Sequence, residues 1–166
     1  MSAGYYLLVF LHLLAALLWL GGMFFLGVVG APILRSVEPP ALRQRLFHKL
    51  GVRFRAAGWA AIAVLLVTGV WLLHLRGLLH WSGVLGDPEF WRTTLGVALA
   101  AKLAAVAIMI VVGFIHDFFL GPAAGRAPTG SARAQTLRRR AAAFARLNAL
   151  VGLLLLLAAV RLARGG

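Results

Sequence analysis

Four long apolar runs, separated by short polar stretches, set the pattern of the chain. Residues 5–34 carry no formal charge, and His12 is the only side chain there that titrates near neutral pH. A second run covers about residues 56–79, with His74 and Arg76 near its end. A third covers about 91–120 and contains Lys102; a fourth covers about 141–160 and includes the five leucines 153–157. A bilayer core is crossed by about 20 helical residues, so each run predicts a spanning helix, the first long enough to tilt or protrude. The first run is too long for a cleaved leader and has no base before it, so it reads as a retained span. The predicted class is all-α: an integral membrane four-helix bundle forming one domain over residues 1–166, with spans at 5–34, 56–79, 91–120 and 141–160.

The polar stretches are as informative as the runs. Between spans 1 and 2, Pro39 and Pro40 suit a helix start, and Leu42, Leu46, Leu50 and Phe54 recur at four-residue steps with bases between them. This predicts an amphipathic cytoplasmic helix at the headgroup boundary, or alternatively a docking helix for a partner protein. The 35–55 segment holds Arg35, Arg43, Arg45, Lys49, Arg53 and Arg55, and the 121–140 segment holds Arg126, Arg133, Arg138, Arg139 and Arg140. The opposite side has only Arg76, Arg92, Arg161 and Arg164. The positive-inside rule then puts both basic segments in the cytoplasm, against anionic lipid headgroups, and both termini outside, as in a bacterial-type inner membrane.

Composition narrows the chemistry. At 62% apolar residues the chain exceeds the roughly 45–50% of a soluble domain. The net charge of +13 is concentrated between the spans, which points to membrane and away from nucleic acid. The absence of cysteine excludes disulfides, thiolate zinc sites, iron–sulfur clusters and a thiol nucleophile. The only acids are Glu38, Asp87, Glu89 and Asp117, with no paired carboxylate, serine elbow or phosphate loop, so no catalytic residue is assigned. The expected partners are the lipid bilayer and, for a small bundle, a second copy in a homodimer. Phe24-Phe25-Leu26-Gly27 recurs as Phe118-Phe119-Leu120-Gly121, each near the end of a span.

Ionisable groups inside a membrane are costly and mark candidate sites. With Tyr5 and Trp81 as interfacial anchors, His12 and His74 each lie seven residues in, about 10 Å deep on neighbouring helices. Two imidazoles at matched depth suit a copper ion or the axial positions of haem b; the plain alternative is a pair hydrogen-bonded near the headgroups. Lys102, Met109 and His116 are spaced by seven and share one face of the third helix. That stripe offers a cation, a thioether and an imidazole, and Met109 would be a stepping stone for a soft metal ion or simple packing. Lys102 repels a cation while charged and better suits haem propionates, an anionic substrate or a proton relay. His12, Ala15, Ala16, Trp19, Gly22 and Met23 share a face of the first helix, where Trp19 would floor a ligand pocket or pack in the core. His48, His116 and Asp117 form a candidate inner metal group or an ion-pair network with Arg53, Arg55 or Arg146. His80 reads as an interfacial residue.

His12 with Trp19-Leu20-Gly21-Gly22, then Arg53-Phe54-Arg55 leading into Thr68-Gly69, then Leu95-Gly96 with Ala101-Lys102-Leu103, resembles the membrane domain of the copper resistance protein D (CopD) family. The resemblance implies a four-helix inner-membrane domain linked to copper uptake or resistance, so transport or handling of copper is the leading functional expectation and an enzyme is the less favoured class. The first-span histidine and third-span lysine also resemble the HemJ-type protoporphyrinogen oxidases. That second resemblance implies His12 as a ligand of haem b and Lys102 as essential. Quinone-linked four-helix cytochromes b are a looser comparison. Were the protein an enzyme, it would be a haem-dependent membrane oxidoreductase.

Overall fold

A computed structural model describes residues 3–79, 84–128 and 131–163. Four long apolar helices make up almost all of it: α1 (Ala3–Arg35), α2 (Pro40–Leu75), α3 (Thr94–Arg126) and α4 (Ala132–Ala163). No strand occurs among the described residues. Each helix is long and apolar enough to cross a bilayer, and the chain is a multi-pass membrane protein with four candidate spans. The arginine-rich segments gather at one end of the helices, hereafter the basic end. The other, which carries the 76–93 connection, is the hairpin end.

The helix ends follow from local chemistry. Pro39 is extended and Pro40 opens α2, where its missing N–H costs no hydrogen bond. At the hairpin end Gly77 takes φ 72°, and the N–H groups of Gly77 and Leu78 return to the carbonyls of His74 and Leu73. This left-handed closure favours glycine, which has no Cβ to clash. Thr93 caps α3 by accepting from the Gly96 N–H at 3.0 Å, and Ser131 caps α4 by accepting from the Ala134 N–H at 3.1 Å.

The amphipathic segment 39–55 is not a separate interfacial helix. It is the first half of α2, which runs unbroken for 36 residues. No proline interrupts the helix after Pro40, so nothing forces a bend at the membrane surface. At 1.5 Å per residue α2 is about 54 Å long and outreaches a hydrocarbon core of roughly 30 Å. The apolar face of the basic half lies beside the end of α1, and Leu26, Ala31 and Leu34 line a shallow hollow with Phe47, Leu50 and Gly51. In the same way α4 begins at Ala132 and not near 141, which shortens the second basic loop to a few residues.

Three stretches open into wider π-helical turns: Leu17–Gly21 and Leu26–Gly30 in α1, and His116–Leu120 in α3. The latter two have a clear cause. Pro32 and Pro122 lack an N–H and their rings clash with the carbonyl four residues back. The turn widens, and the N–H groups of Ala31 and Gly121 bond five residues back, to Leu26 and His116. The Phe-Phe-Leu-Gly echo thus falls at two wide turns beside prolines.

The core lies where α1, α2, α3 and α4 meet, around Trp19, Leu20, Ala61, Ala105, Met109 and Val151. Met109 is fully buried. Glycines bring the helices close: the Phe54 ring occupies the space where a Gly22 side chain would lie, and Leu20 and Met109 press against Gly152. Large apolar side chains facing outward, such as Leu17, Val67, Val111 and Leu154, suit lipid contact.

Candidate functional site

In the hairpin half, α1 and α2 pair around His12. Its Nδ1 lies 2.8 Å from Thr68 Oγ1, and the same hydroxyl is 2.6 Å from the Val64 carbonyl four residues back. Thr68 has one proton to give, and the carbonyl can only accept it. His12 must therefore donate through Nδ1, which fixes the tautomer and leaves the lone pair of neutral imidazole on Nε2. Thr68 is 4% exposed and His12 half-buried, so the contact lies at the inner edge of the ring. Gly69 lies beside His12 Cε1, on the face of α2 that meets the ring.

One basic side chain, Lys102, lies near this imidazole. Lys102 stands on the buried stripe of α3, with Leu99 and Ala105 one turn to either side. It is near enough for its charge to act on His12, as the charge of Arg76 acts on Lys102. Arg76 also donates from Nη2 to the Tyr5 hydroxyl at 3.3 Å, fixing the register of α1 against α2. His74 is exposed and six residues beyond Thr68. That places it about 9 Å further along α2 and about 120° round from the face that meets His12.

A second group of polar atoms sits deeper. Asn148 on α4 is 6% exposed; its Nδ2 donates to Met23 Sδ of α1 at 3.4 Å, while its Oδ1 is buried with no partner. Met109 reaches the same seam from α3, its Cε and Sδ lying against Gly152, one turn from Asn148. His116, further toward the basic end of α3, has a buried Nδ1 with no partner. Trp19 is buried between these two regions and lies against Gly58, as core packing.

At the basic end, Asp117 accepts from Trp59 Nε1 at 3.0 Å, and Arg55 donates to the Asp117 main-chain oxygen at 3.0 Å. The Arg55 guanidinium lies over Phe118, and Trp59 meets Phe114 and Phe118. The carboxylate is thus held by an indole; Arg53 and Arg146 are exposed. His48 is also exposed, on the basic half of α2. Among the described residues no three His, Asp or Glu side chains gather as a metal cluster. His80 and the Trp81 anchor lie outside the described residues.

Asn148, the Trp59–Asp117 contact and the part Thr68 plays at His12 are absent from the sequence-based expectations, where Thr68 appears only in the Thr68-Gly69 motif. Asn148 had a signal: it is the only asparagine in the chain and lies within an apolar run. Thr68 had less, because a lone threonine in a span usually bonds its own helix, as this one also does.

Four apolar helices with polar side chains meeting inside the bundle define a multi-pass helical membrane protein that can present imidazole and thioether ligands within the bilayer. A sequence profile of the family "Copper resistance protein D" (CopD) matches residues 48–162, well over half of the chain. The chain belongs to the CopD family, which marks it as a membrane protein of copper resistance or handling. An uncharacterized protein of Aquifex aeolicus (strain VF5) is 28% identical over 115 residues, covering 69% of this chain and 69% of that protein. No solved structure matches. The family match begins within α2 and leaves α1, with His12, outside it.

Proposed function

We propose that the protein binds and moves copper within a bacterial-type inner membrane, with both basic helix ends in the cytoplasm and His12 as the entry ligand in the outer half. The observation that carries this reading is the fixed tautomer of His12. A half-buried imidazole whose Nδ1–H is held by a second residue, leaving Nε2 to ligate, matches the usual arrangement of a metal-binding histidine. Copper is the cargo: it enters through His12, passes the thioethers of Met23 and Met109 and leaves toward His116. His74, at a shallower level, would act as an earlier contact.

The test is metal loading of the purified protein in detergent under reducing conditions. His12→Ala should lose outer-site copper, while His48→Ala should retain it. Equal loading of the His12→Ala and unsubstituted proteins would overturn the reading. Reporter fusions at Ala41 and Ala132 should read as cytoplasmic and one at Gly86 as external; the reverse would invert the direction of entry.

One observation favours a second reading. Lys102 near His12 would suit a propionate of a haem b ligated by Nε2, as in a membrane redox protein. A Soret band in protein purified from cells supplied with haem would support it, and a copper-loaded protein with no such band would exclude it.

A further inference from the structure

We propose that Met23, Met109 and Asn148 form a second position for a soft monovalent cation, Cu(I) or its surrogate Ag(I), in the seam between α1, α3 and α4. The inference rests on the copper-handling reading and adds a defined ligand set inside the core. Apart from the initiator, Met23 and Met109 are the only methionines of the chain, and Asn148 is its only asparagine. The fold brings all three to the core, from three different helices.

Asn148 carries the argument. It is more than nine-tenths buried; its amide nitrogen is spent on a thioether, a weak acceptor, and its Oδ1 meets nothing. Turning the amide over does not relieve this. The oxygen would then face the Met23 sulfur, and the nitrogen would be left without an acceptor. A purely structural asparagine in an apolar seam is expected to satisfy both ends or be replaced by leucine. An amide in contact with the Met23 thioether, with the Met109 thioether packed one turn along α4 at Gly152, is instead a donor set suited to a soft cation.

Charge selects the ion. All three donors are neutral, and no carboxylate is among them, so the site cannot balance a divalent ion away from water. A monovalent, polarisable cation carries the smallest desolvation cost and prefers sulfur. Methionine side chains are flexible enough to turn both sulfurs inward without moving a helix. The missing side chain of Gly152 makes the room that Met109 and Leu20 fill, and Gly113 lies beside the Asn148 amide. The buried Nδ1 of His116, toward the basic end, offers the next ligand in the direction of exit.

The experiment is X-ray absorption on protein loaded with Cu(I), with Ag(I) titration as the second readout. Thioether sulfur should appear in the copper shell of the unsubstituted protein. The double variant Met23→Leu/Met109→Leu keeps core volume and should fold; it should lose the sulfur signal and about half of the bound silver while keeping the nitrogen ligand of His12. His12→Ala should do the opposite, retaining sulfur-ligated metal. Copper bound by nitrogen and oxygen alone would overturn this inference and leave the copper reading standing. Failure of the unsubstituted protein to bind either ion would overturn both.

Discussion

The two halves of the bundle treat buried polar groups in opposite ways. In the hairpin half, His12, Thr68 and the Val64 carbonyl form a chain in which every proton has a destination. In the seam toward the basic end, Asn148 Oδ1 and His116 Nδ1 are buried and unmatched. The first arrangement fixes an imidazole before anything binds. The second leaves donor atoms available among flexible thioethers. An ion held by a rigid ligand at the mouth and by adaptable ones inside can be both captured and released, which a uniformly rigid pathway would hinder.

The sharpest way to break this contrast is to remove the side chain at its centre. Met109→Ala should lower stability by about 2–5 kcal/mol, read from denaturation in detergent, because the fully buried site cannot collapse. Met109→Leu should cost less than about 1.5 kcal/mol while removing one of the two thioether ligands, separating packing from chemistry. A Met109→Ala protein as stable as the parent would show that the seam is loosely packed.

Lys102 tests the electrostatic side of the comparison. A lysine at mid-span costs about 2.5–3.5 kcal/mol on insertion scales, so Lys102→Leu should stabilise the bundle by up to that amount. The same change should raise copper occupancy at His12, because a repelling charge is removed. If haem is the ligand instead, Lys102→Leu should reduce pigment content. One variant therefore moves the two readings in opposite directions.

Thr68→Val keeps the shape of α2 but removes the acceptor that fixes the His12 tautomer. It should weaken metal binding at His12 by about 10–100-fold, as for other residues that orient a ligating imidazole, and leave silver binding in the Met23–Asn148 seam unchanged. Loss at both positions would mean that the halves are coupled. The smallest effect belongs to the exposed Arg43–Glu38 pair at 3.3 Å; Glu38→Ala should change stability by less than about 1 kcal/mol and binding not at all.

The spans were legible because a charge-free run longer than a bilayer is thick suits little except a membrane-crossing helix, and because arginines cluster between the runs. The place of Lys102 on the buried stripe of α3 was legible too, since a seven-residue step returns to one face and α3 keeps α-helical spacing from Thr94 to Ile115. The merging of the basic amphipathic segment with α2 was not. Its apolar stripe fits a helix lying on a membrane as well as one packed against Leu26 and Leu34, and only the packing decides. Asn148 and Met23 were harder still, because their meeting joins residues 125 apart in sequence. The burial of Leu20, off the face shared by His12 and Trp19, also lay beyond a simple periodicity argument.

That last discrepancy traces to the wide turn at Leu17–Gly21. In an unbroken α-helix His12 and Met23, eleven residues apart, would point within about 20° of each other. Here the first meets Thr68 on α2 and the second meets Asn148 on α4. The wide turn behaves as a one-residue insertion that shifts the phase of everything after it, so a single helix serves two different seams in succession. Deleting Leu18 would remove that shift and rotate the basic half of α1 by about 100°. Met23 would swing away from Asn148 while His12 kept its place, and the proposed route between them would be cut with both side chains still present.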